Sequence, residues 1–359
     1  MADKASRGLV IYGDGLASFI NPSHAHLHSL ASKAFCGFLS LPNAPPSVEM
    51  LDLLLCDFDV ISISNMVTGF DNTHANVDVT DLLYFELKTM FLIAESEDER
   101  IVREFAYLLD ACEAYQNVNS QNTSIPTISE RFMGMKAAII TNNPGLKSFG
   151  GKLGLTVFSF NDINGNEFSL SGSSTDFVTS ELLKLLGFQE GKTLETSQFD
   201  LVFVHVGAGE RVNGEGQKTI AIDVEYIDAL VDGIMRIAQP GSEIGSRLHL
   251  SLVMSFGYVT EGDGRDLSIL TSKDEMDPAL SKLFPRQSYT MKGEKPRNDV
   301  RYHCPLLIAQ WQYAVTRVDM ADTFSFKDFK ERGGNLVIPA DRFLHEVAFK
   351  LWKAPKYGA

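Results

Sequence analysis

Short apolar runs recur along the chain and are separated by longer amphipathic stretches. The runs are almost continuously apolar, which is typical of strands that are buried on both faces of a parallel or mixed sheet. Six of these runs are predicted to be strands: 8–12, 136–141, 155–160, 200–206, 248–256 and 305–310.

The amphipathic stretches have the spacing of helices. Ile220, Val224, Ile227, Val231 and Ile234 alternate steps of four and three residues, which places them on one helical face. A capping box at Ser96 and Glu99 and a terminal glycine at Gly187 mark the ends of two further stripes. These stripes are Ile101, Phe105, Leu108 and Cys112, and Phe177, Val178, Leu182, Leu185 and Leu186.

The alternation of strands and helices predicts an α/β protein, a three-layer α/β/α sandwich with a mostly parallel central sheet. The length of 359 residues allows one large domain or two modest ones, and we expect a single domain over 1–359. The span at about 74–128 is helical and acidic, and it predicts a small helical insertion on this core. The polar span 258–300 predicts long loops.

Charge narrows the classes of partner. Lys and Arg number 32 and Asp and Glu number 46, so the formal net charge is 32 − 46 = −14. An acidic chain repels phosphate backbones, which argues against nucleic acid as a partner. No stretch approaches 18 apolar residues, so no membrane span is predicted.

The cysteines and the first residues indicate a compartment. The four cysteines form no CxxC pair and lie mostly in apolar contexts, which is typical of buried thiols in a reducing environment. The opening residues MADKASRG contain no apolar signal core. A cytoplasmic protein is therefore expected.

The first candidate functional residue is Asp14, which follows the first predicted strand between Gly13 and Gly15. A carboxylate at the end of a strand can ligate a metal, and it can equally cap the next helix. Ser47 follows Pro45 and Pro46 before an apolar helical run, where it is either a helix cap or a nucleophile. His205 lies inside a predicted strand and is expected to pack or form hydrogen bonds there.

Several phrases together resemble the alkaline phosphatase superfamily, most closely its cofactor-independent phosphoglycerate mutase and phosphopentomutase branch. The phrase FDLVFVHVGAGERVNGEGQKTIAIDVEYIDALVDGI is similar to a phrase of this branch almost throughout. The opening keeps the order of the branch's metal-ligand Asp-Gly, a proline, a Leu-Ala pair and a nucleophilic Ser or Thr. The corresponding residues here are Asp14-Gly15, Pro22, Leu30-Ala31 and Ser47. The resemblance implies an alkaline-phosphatase-like fold.

The resemblance also implies two divalent metal ions held by Asp and His ligands. Glu210 stands where the branch has an acidic ligand, and His303 precedes a strand as the last histidine of the branch does. Other positions depart from the pattern, since Asn213-Gly214 and Ser255-Phe256 stand at the places of ligands. Phenylalanine cannot ligate a metal. Glu210 is alternatively a solvated loop residue, and His303 an interior histidine.

The reduced ligand set leads to two functional hypotheses, beside a third in which the chain is a plain α/β binding protein and the resemblance is only of fold. Two-metal phosphoryl transfer needs both ions, and a divalent site normally has at least three protein ligands. The favoured hypothesis is a pseudoenzyme that has lost this chemistry and binds a small phosphorylated ligand or a protein partner. The alternative is a divergent phosphoester hydrolase or phosphomutase with Ser47 as nucleophile. It would use one divalent cation (Mg²⁺, Mn²⁺ or Zn²⁺) held by Asp14, Glu210 and His303.

Overall fold

The computed structural model describes residues 5–41, 97–112, 126–164, 175–207, 220–257, 291–292, 295–296, 306–314, 316–332 and 337–355. The strands of this part are β1 (Arg7–Gly13), β2 (Phe35–Ser40), β3 (Ala137–Ile140), β4 (Thr156–Phe158), β5 (Phe188–Gln189), β6 (Lys192–Thr193), β7 (Leu201–Val206), β8 (Leu248–Met254), β9 (Met291–Lys292), β10 (Lys295–Pro296), β11 (Leu306–Trp311) and β12 (Val337–Pro339).

The helices of this part alternate with the strands. They are α1 (Ala25–Lys33), α2 (Glu97–Leu108), α3 (Ile128–Arg131), α4 (Pro144–Lys152), α5 (Phe160–Asn164), α6 (Thr175–Leu185), α7 (Ile220–Ile237), α8 (Glu243–Arg247), α9 (Phe326–Arg332) and α10 (Phe343–Lys350). Two short 3₁₀ turns, Ala17–Phe19 and Ala340–Arg342, complete the set.

Eight strands form one central sheet in the order β12-β2-β11-β8-β1-β7-β3-β4. Every neighbouring pair is parallel except the two that contain β11, which runs antiparallel to β2 and β8. Because parallel strands point the same way, the carboxyl ends of β1, β3, β7 and β8 lie at one edge of the sheet. The predicted mostly parallel sheet is confirmed.

Successive side chains of β1 enter two different cores, as the two-residue period of a strand requires. Leu9 and Ile11 pack with residues of α1, α6 and α7 on one face of the sheet. Val10 and Tyr12 pack with residues of α2, α4 and α10 on the other face. Helices therefore cover both faces, and the predicted three-layer α/β/α sandwich is confirmed.

The predicted elements match the observed ones closely, with two exceptions. Each of the six predicted strands overlaps an observed strand of the central sheet, but β2 and β12 were not predicted. Of the predicted insertion at 74–128, the structure describes 97–112 and 126–128, and α2 packs directly on the sheet through Ile101 and Phe105. Most of the polar span 258–300 and the capping residue Ser96 lie outside the described residues.

Candidate functional site

The carboxyl ends of β1 and its two neighbours are tied together by backbone hydrogen bonds. The Asp14 amide donates to the carbonyl of Val206, at the end of β7, over 2.9 Å. The Ser255 amide, just after β8, donates to the carbonyl of Gly13 over 2.8 Å. Since Asp14 is the first residue after β1, these bonds to both neighbouring strands fix the backbone position from which its side chain extends.

The loop that follows β8 comes unusually close to the loop that follows β1. Gly257 has a φ of +70°, and a Cβ atom at this position would lie 3.2 Å from the Cα of Gly15. The Ala17 amide donates to the carbonyl of Ser255 over 2.9 Å in the same region. Two loops that are far apart in sequence thus form one layer around Asp14.

The carboxylate of Asp14 is held by the guanidinium of Arg100, which extends from α2. Nη1 donates to Oδ1 and Nη2 donates to Oδ2, each over 2.9 Å, so the contact is bidentate. The side chains are 0% and 3% exposed for Asp14 and Arg100. Bidentate pairs of this kind are among the strongest charge-assisted contacts in proteins.

A second buried carboxylate completes the group. Glu104 lies one helical turn after Arg100 on α2, and its Oε1 accepts from Nη1 of Arg100 over 3.0 Å. Its Oε2 accepts from the hydroxyl of Tyr12 on β1 and from that of Ser255 over 3.0 Å. Asp14, Tyr12, Arg100, Glu104 and Ser255 are called the Asp14 cluster below.

Burial and charge act in opposite directions on the ionisable members of this cluster. Burial alone would lower the pKa of Arg100, but the hydrogen bond to Asp14 and the charges of Glu104 and Asp14 outweigh it and raise that pKa. Burial raises the pKa of Glu104, although the positive charge of Arg100 opposes the shift. Burial and the charge of Glu104 raise the pKa of Tyr12. Arg100 is therefore always cationic here.

His205 lies beside this cluster on β7. It is opposite Tyr12 in the β1–β7 register, and the two rings stack with centroids 5.9 Å apart. Its Nδ1 shares a hydrogen bond of 2.9 Å with the hydroxyl of Thr141 after β3. Burial, aided by the positive charge of Arg100, lowers the pKa of His205 to about 3. The predicted packing role for His205 is confirmed, with a neutral ring.

Of the four predicted site residues, Asp14 is the one that the structure describes. Ser47, Glu210 and His303 lie outside the described residues, so their roles and their nearness to Asp14 stay predictions. Within the described ranges, no group of three or more His, Cys, Asp and Glu side chains is arranged to hold a metal ion.

The described residues around Asp14 do not fit a divalent cation. Both carboxylate oxygens already accept hydrogen bonds from a guanidinium, and a fixed positive charge at hydrogen-bond distance repels a second cation. Phe256 adds to this misfit, because its ring has no ligand atom and packs against the core that contains Leu9 and Ile11.

Sequence reasoning missed Arg100, Glu104 and Tyr12. A signal for the first two was present, because Arg100 and Glu104 are four residues apart and adjoin the apolar positions Ile101 and Phe105 of the predicted helix. Charged residues next to a buried stripe are rarely fully buried unless they are paired. The partner of Arg100 outside the helix, Asp14, is 86 positions away in the sequence, so no local pattern indicates this contact.

Comparison with known proteins gives similarities of structure and not of sequence. No protein-family profile and no curated protein sequence matches the chain. The PH0037 protein of Pyrococcus horikoshii is similar over 100% of both chains, with 16% identity and a TM-score of 0.44. A cofactor-independent phosphoglycerate mutase of Thermoplasma acidophilum is similar over 96% of this chain and 99% of its own, with 12% identity and a TM-score of 0.41.

A protein of the alkaline phosphatase superfamily from Vibrio parahaemolyticus is also similar, with 10% identity and a TM-score of 0.38. The similarity covers 98% of this chain and 67% of that protein. At such identities no residue role passes from one protein to another.

None of the helices in the described ranges is both long enough and apolar enough to cross a membrane.

Proposed function

We propose that this protein is a non-catalytic protein of alkaline-phosphatase-like fold, which acts by binding a small phosphorylated ligand or a protein partner. It would do so without the two-metal phosphoryl transfer that the resemblance implies. The observation that carries the proposal is the buried bidentate pair between Asp14 and Arg100.

The pair matters because metal-assisted phosphoryl transfer needs carboxylates that are free to ligate. Here the carboxylate at the end of β1 is neutralised by a guanidinium that is 3% exposed. Glu104 holds the same guanidinium from the other side over 3.0 Å, so Arg100 cannot turn away without leaving two buried carboxylates. The two departures from the ligand pattern, Gly214 and Phe256, support the same proposal.

The nature of the ligand follows from the resemblance. The superfamily phrases and the printed name of the similar mutase both concern phosphate esters, which favours a phosphorylated ligand.

Cys36 and Cys112 are free thiols, which supports the proposal that the protein acts in a reducing compartment such as the cytoplasm.

The first experiment measures the metal content of the purified, untagged protein. It is incubated with Zn²⁺, Mn²⁺ and Mg²⁺, freed of unbound ion, and analysed by plasma mass spectrometry. We expect no near-stoichiometric retention at Asp14, because the guanidinium already neutralises that carboxylate. Calorimetric titration with Mg²⁺ extends the measurement to ions that exchange too fast to survive the removal step.

The matched variants are Asp14→Asn and Ser47→Ala, each assayed against a panel of phosphate esters. We expect the wild type and both variants to show no metal-dependent hydrolysis or phosphate transfer. Metal retention that Asp14→Asn abolishes, together with an activity that Ser47→Ala abolishes, would overturn the proposal. That outcome would establish the phosphoester hydrolase or phosphomutase with Ser47 as nucleophile.

Ligand and partner are separated by a thermal-shift screen with phosphorylated metabolites, with inorganic phosphate and sulfate as controls. A concentration-dependent rise in melting temperature with one ester, and not with either control, supports a phosphorylated ligand. No rise with any ester favours a protein partner, since a specific ligand that binds only the folded state must stabilise it.

A further inference from the structure

We infer that the guanidinium of Arg100 is the resident cation of the Asp14 cluster. It supplies the positive charge that this sheet edge requires, and its removal turns the cluster into a site for a hard divalent cation. This inference deepens the proposed function and rests on it, because both concern the same carboxylate.

The first argument is the position of the guanidinium between two carboxylates from different elements. Its Nη1 lies 2.9 Å from Oδ1 of Asp14 and 3.0 Å from Oε1 of Glu104, and its Nη2 lies 2.9 Å from Oδ2 of Asp14. One cationic group thus bridges an acid from the end of β1 and an acid from α2. Bridging of two acids from separate elements is what a bound metal ion does in other proteins.

The second argument is the charge balance. Asp14 is 0% exposed and Glu104 is 1% exposed, and burial of an unpaired carboxylate is strongly unfavourable. With both acids ionised and Arg100 cationic, the sum is −1 −1 +1 = −1. Without Arg100 the sum over the two acids is −2, which favours uptake of a cation or of protons.

The third argument is the chemistry of the remaining donor atoms. Removal of the guanidinium leaves four carboxylate oxygens from Asp14 and Glu104, with the hydroxyls of Tyr12 and Ser255 on the far side of Glu104. An all-oxygen set suits Mg²⁺, Ca²⁺ and Mn²⁺ rather than softer metals. Removal of the guanidinium vacates the position between the carboxylates of Asp14 and Glu104.

The experiment compares melting temperatures of the full chain with and without divalent cations. Wild type, Arg100→Ala and the double variant Asp14→Asn/Arg100→Ala are melted in MgCl₂, CaCl₂ or MnCl₂, and in NaCl of equal ionic strength. We expect Arg100→Ala to melt well below wild type in NaCl and to regain several degrees in the divalent salts. The melting temperatures of wild type and of the double variant should be the same in the divalent salts as in NaCl.

The matched control is Arg236→Ala. Arg236 is an arginine that also bridges two acids, Asp176 and Asp232, but its side chain is 57% exposed. This variant leaves two carboxylates near each other in water, where hydration and screening already relieve their repulsion. We expect it to show no difference between the salts.

Several outcomes would overturn the inference. An Arg100→Ala variant that is indifferent to divalent cations, or that responds no more than Arg236→Ala, shows that the cluster does not need a cation. Arg100→Gln serves as a second variant, since its neutral side chain is shorter than that of arginine, leaves part of the space to an ion and should also gain stability from divalent ions. If both variants stay unfolded in every salt, the guanidinium contributes more than charge and the inference is wrong.

These results are distinct from a failure of the proposed function. Metal retention that Asp14→Asn abolishes, together with a phosphatase activity that Ser47→Ala abolishes, contradicts the proposed function whatever Arg100→Ala does. A wild type without metal or activity, combined with an Arg100→Ala variant that ignores divalent ions, contradicts the inference alone.

Discussion

A buried ion pair contributes to a protein in two opposing ways. Desolvation of Asp14 and Arg100 is costly, and their attraction in the interior repays this cost only when the geometry is good and other hydrogen bonds are made. Here the contact is bidentate, and Glu104 accepts from the same guanidinium. The pair therefore specifies one arrangement of β1 and α2, because any other arrangement would leave a buried charged group without its partner.

We expect Arg100→Met to lower the free energy of unfolding by about 3 to 5 kcal/mol, since it leaves two buried carboxylates without their cation. In the double variant Asp14→Asn/Arg100→Met the loss should be smaller than the sum of the single losses, because one of those carboxylates is gone. Urea denaturation of the four proteins of this cycle measures the coupling.

The control for this cycle is Arg236→Met, which removes an arginine that is 57% exposed and should cost less than about 1 kcal/mol. Strictly additive losses in the Asp14–Arg100 cycle would show that the two side chains do not stabilise each other.

At the scale of elements, α2 carries the two charged groups to the sheet edge. Arg100 and Glu104 are four residues apart and so share one side of the helix. Ile101 and Phe105 pack into the core that contains Val10 and Tyr12. The Phe105 ring contacts the Tyr12 ring edge to face, with centroids 5.6 Å apart. The apolar side of α2 thus sets the place from which its charged side chains reach Asp14.

The contact between the loops after β1 and β8 gives a prediction of its own. Gly257→Ala should destabilise the protein more than Gly134→Ala. Both glycines have positive φ, +70° and +73°, so both substitutions strain the backbone by about 1 to 2 kcal/mol. The added Cβ at Gly257 also meets the backbone of Gly15 at 3.2 Å, whereas nothing lies within 4 Å at Gly134.

Chemical denaturation of the two glycine variants measures this difference directly. Equal losses in the free energy of unfolding would mean that the two loops move apart without cost. The close contact between Gly257 and Gly15 would then not contribute to stability.

At the scale of the whole molecule, helices cover both faces of the sheet. Titratable groups buried inside the sheet therefore become exposed to water when the protein unfolds. His205 and His249 are both buried, and burial lowers the pKa of each. A group with a lowered pKa takes up its proton on unfolding, so the unfolded state binds more protons than the folded state. Acid therefore favours the unfolded state through these rings.

We expect the wild type to lose stability as the pH falls from about 6.5, the ordinary value for histidine, toward the pKa of about 3 for His205. Above this window the contribution of His205 is fully present. In His205→Gln the slope between these pH values should be smaller by up to about 1.4 kcal/mol per pH unit. Glu104 works in the opposite direction, because its pKa is raised.

Urea denaturation at several pH values between 7 and 4 measures these slopes. His26→Gln is the matched control, since this histidine has a side chain that is 45% exposed. An unchanged slope in His205→Gln would show that this ring does not couple folding to proton uptake.

The apolar pattern of the sequence determined most of the sandwich. The runs that became β1, β3, β7, β8 and β11 are recognisable one by one, because a strand buried on both faces must be apolar at nearly every position. β2 was missed because Gly37 interrupts the apolar run of Phe35–Ser40. It is a strand because β11 pairs with it from 267 positions away, between Leu39 and Leu306, to 275 positions away, between Phe35 and Gln310.

The sequence by itself also determined that a carboxylate, Asp14, stands at the end of the first strand, since both the strand and its last residue, Gly13, are local features. Only the tertiary structure decided what that carboxylate meets. Arg100 reaches it from 86 positions away, because α2 packs on one particular face of the sheet beside β1. Periodicity indicates which side of a helix is buried, but not which neighbour it is buried against, and that choice made the residue beside Asp14 a guanidinium.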